Sequence, residues 1–264
     1  MTTSSPAQRR VAVTGAASGI GKALADMLRA QGDDVIGVDL KDAEVCADLG
    51  TPAGRQEAVR AVLERPEGVL DAVIACAGIS AQVPATIAVN YFGVTELLQG
   101  LRPALARAEA PRAAFVGSIV GTKSVAPEVV EACLAGDEPA ALAAAAALAE
   151  RGQGGALYPA SKTALARWLR RTSVTDEWAG AGIPLNAVGP GVVLTPMHAA
   201  VARTEEQRRI VAQAVPMPLH GHAEPEVIAR ALRWLTSEEN THVTGQVLYV
   251  DGGAEVVLRG PDRI

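Results

Sequence analysis

Tyr158 and Lys162 stand four residues apart in Tyr158-Pro-Ala-Ser-Lys162, a spacing that places a phenol and an ammonium on one face of a helix. A free phenol titrates near ~10, too high for a base at neutral pH. A fixed positive charge a few ångströms away stabilises the phenolate and lowers that value. The pair therefore predicts proton transfer through Tyr158, although an exposed helix pair has the same spacing. Ser118 ends the apolar run Ala113–Ser118. That position is the carboxyl edge of a parallel strand, where a hydroxyl can hydrogen-bond a substrate oxygen. Asn90 falls mid-helix in Val89-Asn90-Tyr91-Phe92-Gly93, a poor place for Asn unless its amide bonds something. Taken singly, Ser118 and Asn90 read as structural residues ahead of functional ones.

A second group of residues suits a phosphate. Thr14-Gly15-Ala16-Ala17-Ser18-Gly19-Ile20-Gly21 follows a strand-like run and opens a helix. Side chains at the glycines would hold a pyrophosphate away from the backbone, and a helix N-terminus supplies free N–H groups and a partial positive charge. The spacing differs from the G-x-G-x-x-G of two-domain dehydrogenases, and a tight turn without a ligand also gathers glycines. Asp39 sharpens the reading. It ends the second strand 18 positions after Gly21, close to the ~20 residues at which an acid meets the adenosine ribose. A carboxylate accepts the ribose hydroxyl protons and repels a 2′-phosphate, so NAD is expected, with NADP the lesser alternative because Lys41 is near. Pro190-Gly191-Val192-Val193-Leu194-Thr195-Pro196 follows the sixth strand. Its amides and the Thr195 hydroxyl suit a carboxamide, and a plain strand-ending turn explains the Pro and Gly equally well.

These residues need a scaffold that brings strand ends together. Apolar runs at Arg10–Thr14, Asp34–Asp39, Glu44–Leu49, Asp71–Cys76, Ala113–Ser118, Pro184–Val188 and Gln246–Val250 alternate with helical stretches. The helices are expected to Gln31 and over Pro52–Arg65, Thr86–Ala106, Tyr158–Ala179 and Ala223–Leu235. Such alternation predicts an α/β fold: a single Rossmann-like, doubly wound parallel sheet of about seven strands with helices on both faces. One domain over residues 1–264 is expected, with a helical insertion at about 123–153 and a lid at about 195–222. Only Leu40–Ala43 separate the second and third strands, too few for an ordinary parallel crossover, so either a helix is trimmed to a turn or one strand is misplaced.

Composition excludes several classes. Hydrophobic residues make up 49% and charged residues 20%, which argues against disorder. Aromatics are 3% and the net charge is −5, so neither a base-stacking platform nor a basic surface for nucleic acid or anionic lipid is present. Cys46, Cys76 and Cys133 have no metal-type spacing and read as free thiols. Met1–Arg10 has no apolar signal core, and the Ala140–Ala149 stretch is half of the ~20 residues that a membrane span needs. No membrane partner and a cytoplasmic location are the expectation. His220 and His222 lack a nearby carboxylate cluster and read as surface residues, so no metal is expected.

In this order and on these elements, the residues from Val11 to Gly253 resemble the short-chain dehydrogenase/reductase family. The resemblance assigns Gly15, Ser18, Gly19, Ile20 and Gly21 to the cofactor, Asp39 to the adenosine ribose, and Asp48 and Leu49 to the adenine. It places Ala77 and Gly78 beside the cofactor, in Cys76-Ala77-Gly78 where the family usually has Asn-Ala-Gly. Pro190, Gly191, Val193 and Thr195 fall at the nicotinamide. The catalytic set would be Asn90, Ser118, Tyr158 and Lys162. Tyr158 would be the general acid/base and Ser118 would polarise the carbonyl. Lys162 would bind the ribose and, with Asn90, hold a relay water. Ser118 and Tyr158 stand 40 apart because of the 123–153 segment. That segment, the short link Asp39–Leu49 and Val89–Leu98 are similar to the bacterial 3α-hydroxysteroid dehydrogenase/carbonyl reductase group. Extra mass before the Tyr158 helix implies a homodimer through Ala223–Leu235 and the last strand.

The implied reaction is NAD-dependent interconversion of a secondary alcohol and a ketone. Met197, Val201, Ile210, Val211, Val215 and Met217 in the lid suit a hydrophobic or steroid-like substrate, or are core positions of short helices. The alternative is an NAD-binding regulator of the same fold without turnover. Joint retention of Asn90, Ser118, Tyr158 and Lys162 speaks against it, since a pure binder needs no phenol.

Overall fold

Strand residues alternate between two faces, and in the central strands of this chain both faces are buried. The computed structural model describes residues 8–65, 68–123 and 125–262. Residues 1–7 of the N-terminal stretch, and Ser124 of the 123–153 segment, lie outside the described residues. Strands β1 (Arg10–Thr14), β2 (Asp34–Asp39), β3 (Val45–Cys46), β4 (Ala72–Ala75), β5 (Arg112–Val116), β6 (Leu185–Pro190) and β7 (Val247–Val250) form one seven-stranded sheet in the order β3-β2-β1-β4-β5-β6-β7. Every neighbouring pair is parallel. The period of two divides the core. Val11, Val13, Ala72, Ile74 and Ala114 pack on one side with α1 (Gly19–Ala30) and α10 (Pro225–Leu235). Ala12, Val73, Ala75, Ala113 and Phe115 pack on the other, against α2 (Pro52–Leu63), α4 (Gly93–Leu105) and α7 (Leu157–Thr172). Covered on both faces, the strands have no polar side to show, which is why they read as continuous apolar runs.

The chain departs from the sequence expectations at identifiable places. β3 is two residues long, not six, and Asp48 and Leu49 lie in the turn beyond it. Because only Val38–Val45 and Asp39–Cys46 pair, the short link with Asp42 at φ 57° suffices without a crossover helix. The helix expected over Thr86–Ala106 is three pieces: α3 (Ala85–Ile87), a π turn at Ala88–Phe92, and α4. β5 stops at Val116, so Ser118 lies just past the strand and caps a 3-10 turn at Ile119–Thr122. α7 ends at Thr172, not Ala179. Beyond it the buried Trp178 anchors a series of turns that Gly182, at φ 72°, closes.

The 123–153 segment does contain two helices, α5 (Pro127–Leu134) and α6 (Glu138–Glu150), whose Val129, Val130, Cys133, Ala141, Ala145 and Leu148 join the α4–α7 side of the core. The 195–222 segment holds α8 (Pro196–Val201) and α9 (Glu205–Ala214), and no residue of α9 is buried. Helix α11 (Ala254–Arg259) follows β7. No helix of the described residues is long and apolar enough to cross a membrane.

Candidate active site

After β1 the chain runs outward through β2 and β3, then returns to place β4 on the other side of β1. That reversal opens a crevice at the carboxyl ends of the strands, where ligands bind in such sheets. A cavity of about 530 Å³ lies there. Gly15, Ser18, Gly19, Ile20, Gly21, Asp39, Asp48, Leu49, Ala77, Gly78, Ser118, Tyr158, Lys162, Pro190, Gly191, Val193 and Thr195 all line it. Asn90 does not; its neighbour Val89 does.

The turn before α1 has the shape of an anion cradle. Gly15 has φ 69°, and a Cβ there would stand 2.9 Å from the Ala77 nitrogen. A Cβ on Gly21 would stand 2.2 Å from the Gly15 carbonyl oxygen. Ser18 occupies the cap position of α1 without a side-chain capping bond, so the first amides of the helix stay open. Thr195 closes the cradle from across the cavity, its Cγ2 3.2 Å from where a Gly19 Cβ would be. Asp39 is fixed by its own backbone surroundings: Oδ2 accepts from the Ala17 N–H at 3.0 Å and Oδ1 from the Leu40 N–H at 2.7 Å. Small backbone-lined space, free donors and an oriented carboxylate fit the pyrophosphate and ribose of a dinucleotide.

Ser118, Tyr158 and Lys162 converge opposite that cradle. Ser118 Oγ accepts from the Val120 N–H at 3.3 Å, and its side chain also hydrogen-bonds the Tyr158 hydroxyl. Burial raises the Tyr158 pKa above its usual value, and the bond to Ser118 pulls it partly back. Lys162 does not produce the lowering expected from the four-residue spacing. Its Nζ donates to the Val116 carbonyl at 2.8 Å and lies 5.8 Å from the centre of the Tyr158 ring, over the ring. Burial lowers Lys162 itself to about 8, with Cys76 opposing. Burial likewise pushes the Cys76 thiol up to about 12, against the pull of Lys162.

Asn90 turns its amide away from the cavity. Oδ1 accepts from the Ile79 N–H at 2.8 Å, while Nδ2 donates to the Ile79 carbonyl at 2.9 Å and to Ser161 Oγ at 3.1 Å. These bonds tie the loop after β4 to α7, which satisfies the polar group that looked misplaced in a helix. The π turn that carries it is a rare geometry, concentrated at functional sites.

Several contacts had no signal in the sequence. Thr14 Oγ1 accepts from the Ala77 N–H at 3.0 Å and joins β1 to the end of β4. Met217 accepts from the Val192 N–H through sulfur at 3.1 Å, pinning the turn after β6. Leu40, Ile79, Ser80, Ile119, Val120 and His198 also line the cavity, together with Met197, Val211 and Val215 from the 195–222 segment. Ile210, by contrast, is 55% exposed. The His222 ring meets His198 edge-on, centroids 5.3 Å apart, and among the described residues no three His, Cys, Asp or Glu side chains converge as metal ligands.

Comparison with known proteins agrees with this architecture. Residues 15–255 match the family model described as enoyl-(acyl carrier protein) reductase. The chain is 34% identical to the 3-alpha-hydroxysteroid dehydrogenase/carbonyl reductase of Comamonas testosteroni, over 94% of this chain and 97% of that protein. It is 31% identical to a galactitol 2-dehydrogenase of Cereibacter sphaeroides, over 93% of this chain and 94% of that one. The crystal structure of the 3-alpha-hydroxysteroid dehydrogenase from Pseudomonas sp. B-0831, complexed with NADH, superposes with a TM-score of 0.89. That likeness is at 42% identity and covers 96% of this chain and all of the other. The chain belongs to the short-chain dehydrogenase/reductase family, enzymes that carry out oxidation and reduction with a nicotinamide cofactor.

Proposed function

We propose that the protein is an NAD-dependent oxidoreductase that interconverts a hydrophobic secondary alcohol and its ketone. The observation that carries this reading is one cavity holding both the open N-terminus of α1 with Asp39 and the Ser118–Tyr158–Lys162 cluster. Gly15, Ser18, Gly19, Ile20 and Gly21 would hold the pyrophosphate, and Asp39 the adenosine ribose. Asp48, Leu49, Ala77 and Gly78 would line the adenosine side. Pro190, Gly191, Val193 and Thr195 would hold the nicotinamide end. NAD bound there supplies the hydride acceptor, and NADH the donor.

The chain's own residues handle the proton. Tyr158 gives its phenolic proton to the oxygen of a ketone during reduction and takes one from the alcohol during oxidation. Ser118 bonds the same substrate oxygen and holds the phenol in place. Lys162 binds the ribose and sets a positive charge beside the phenol. Asn90 acts from behind, fixing α7 and the loop after β4 relative to each other. The apolar walls formed by Ile79, Ile119, Val120, Val192, Met197, Val211 and Val215 favour a hydrophobic substrate. The hydroxysteroid activity in the names of two relatives supports that choice.

A panel of ketones and secondary alcohols, followed at 340 nm with NADH and NADPH in parallel, tests the proposal. Turnover of hydrophobic members with NADH is the expected result. Tight NADH binding without any turnover would replace the enzyme reading with that of a sensor. Asp39→Ala should narrow the NAD preference about tenfold, since it removes the repulsion of a 2′-phosphate and the ribose bonds together. A parent protein that already prefers NADPH would contradict the role of this carboxylate.

The functional unit is proposed to be a homodimer. β7 is an edge strand, and Trp234 on α10, Leu248 on β7, and Val256 and Val257 on α11 are exposed apolar side chains around it. An unpaired edge beside such a patch is a surface that proteins normally cover. Light scattering after gel filtration should give twice the chain mass for the parent and a monomer for Trp234→Glu/Leu248→Glu. A monomeric parent contradicts this assembly, and a tetramer requires a second interface.

A further inference from the structure

The most enclosed charge among the described residues lies outside the catalytic cluster. Arg55 opens the second turn of α2, and its side chain is 1% exposed. Four groups from four parts of the chain surround the guanidinium. Nε donates to Glu96 on α4 at 2.7 Å, and Nη2 donates to Glu138 at the start of α6 at 2.5 Å. Nη1 donates to the carbonyl of Leu49 at 3.3 Å. The Phe92 ring of the π turn lies beneath it, 5.9 Å from Cζ to the ring centre. The second oxygen of Glu138 is buried without a hydrogen-bond partner, so this carboxylate is committed to Arg55 alone.

A buried ion pair is a poor source of stability, because desolvation offsets most of the attraction. It is an effective way to fix geometry, since a planar guanidinium holds several acceptors at set angles. What it fixes here is the base-side wall of the cavity. Asp48 and Leu49 line that wall. Leu49 is caught between Arg55 and α4, its carbonyl 3.2 Å from where a Gly93 Cβ would be. The turn is tied to β2 by the Ala47 N–H, which donates to the Asp39 carbonyl at 2.9 Å. Beyond that it is held by local bonds, from the Gly50 N–H to Asp48 Oδ1 at 2.9 Å, from the Thr51 N–H to the Asp48 carbonyl at 3.1 Å and from the Gly54 N–H to Thr51 Oγ1 at 3.0 Å. Arg55 is the contact that ties this turn to α6.

We propose that Arg55, clamped by Glu96 and Glu138, is a positioning residue for the dinucleotide, and that through it helix α6 braces from behind the wall that receives the adenine. The proposal rests on the reading that the adenosine half of the cofactor binds against Asp48 and Leu49.

The test uses the full chain, with fluorescence titration of NADH, melting of the cofactor-free protein and hydrogen exchange. In Arg55→Met/Glu138→Met the two enclosed charges leave together, and Glu96, whose side chain is 41% exposed, turns to water, so the melting temperature should stay near that of the parent. NADH should bind about tenfold more weakly, the scale of one charge-assisted hydrogen bond. Amides of residues 47–51 should exchange faster, and kcat at saturating NADH should hold. Parent-level affinity with parent-level exchange at 47–51, in a variant that melts normally, overturns the proposal. If that variant does not fold, Glu138→Gln decides: it keeps the guanidinium but loosens its link to α6. About threefold weaker NADH binding is then expected, and unchanged affinity overturns the idea. Should the parent bind NADPH in preference, the role of Asp39 fails, and the same comparison runs with NADPH because Arg55 acts at the base-side wall. A parent that binds neither nucleotide overturns both.

Discussion

Tyr158→Phe is expected to lower turnover by about 10²–10⁴-fold, the range that a positioned general acid/base contributes, while NADH affinity changes by no more than about twofold. The substitution removes one oxygen from a buried site and leaves the ring. Ser118 keeps its bond from the Val120 N–H, so no buried hydroxyl is stranded. Stability should therefore move by only ~1 kcal/mol. Single-turnover kinetics with NADH titration in parallel separate the two effects. A variant that retains more than about a tenth of the parent rate would remove Tyr158 from the acid/base role.

The raised Tyr158 pKa gives this prediction a direction in pH. A phenol pushed above its usual value stays protonated at neutral pH, ready to donate. Reduction should then be sustained at neutral pH, whereas oxidation, which needs the phenolate, should rise toward alkaline pH. Lys162 does not drive that rise: in the cofactor-free chain its own charge, held down by burial, is present below about pH 8 and lost above it. An oxidation rate that falls continuously from neutral to alkaline pH would contradict the assigned balance.

Gly21→Ala should cost more than its chemistry implies. Alanine in a helix is favoured over glycine by about 1 kcal/mol, so an unconstrained site would gain. Here the new Cβ would stand 2.2 Å from the Gly15 oxygen, 2.6 Å from its carbonyl carbon and 2.9 Å from the Thr14 oxygen. All three are backbone atoms and none can swing aside. The turn must shift, at a cost of about 2–3 kcal/mol in stability, and the open amides of α1 move with it. NADH binding should weaken by at least about a hundredfold. Gly155→Ala is the control, because nothing lies within 4 Å of a Cβ there. Melting curves and NADH titration of both variants check the claim, and a Gly21→Ala protein that binds like the parent would show that the turn is not the phosphate cradle.

Much of the site was legible in residue order alone, and the reasons differ from residue to residue. The glycines of the turn could be read because a tight strand-to-helix turn allows few residue types, and Asp39 because its spacing is set by one strand–helix–strand unit. Tyr158 and Lys162 could be read because a helix fixes which residues share a face. Asn90 was legible as an anomaly, a polar amide in a helix interior, but its partners Ile79 and Ser161 were not. The ends of α7 and of β3 were misjudged because tertiary contacts set them: the packing of Trp178 in one case, and a two-residue pairing with β2 in the other.

The sequence by itself determined the sheet, the order of its elements and the residue types gathered at its carboxyl edge. These follow from local periodicity and from backbone limits that neighbouring residues impose. Only the tertiary structure decided what the buried charges do. Lys162 donates to the Val116 carbonyl and lies over the phenol ring, and Arg55 joins Glu96, Glu138 and Leu49 across 6 to 83 positions of sequence. The strength and direction of an ionic contact depend on distance and on exclusion of water, and neither is set until the helices have packed.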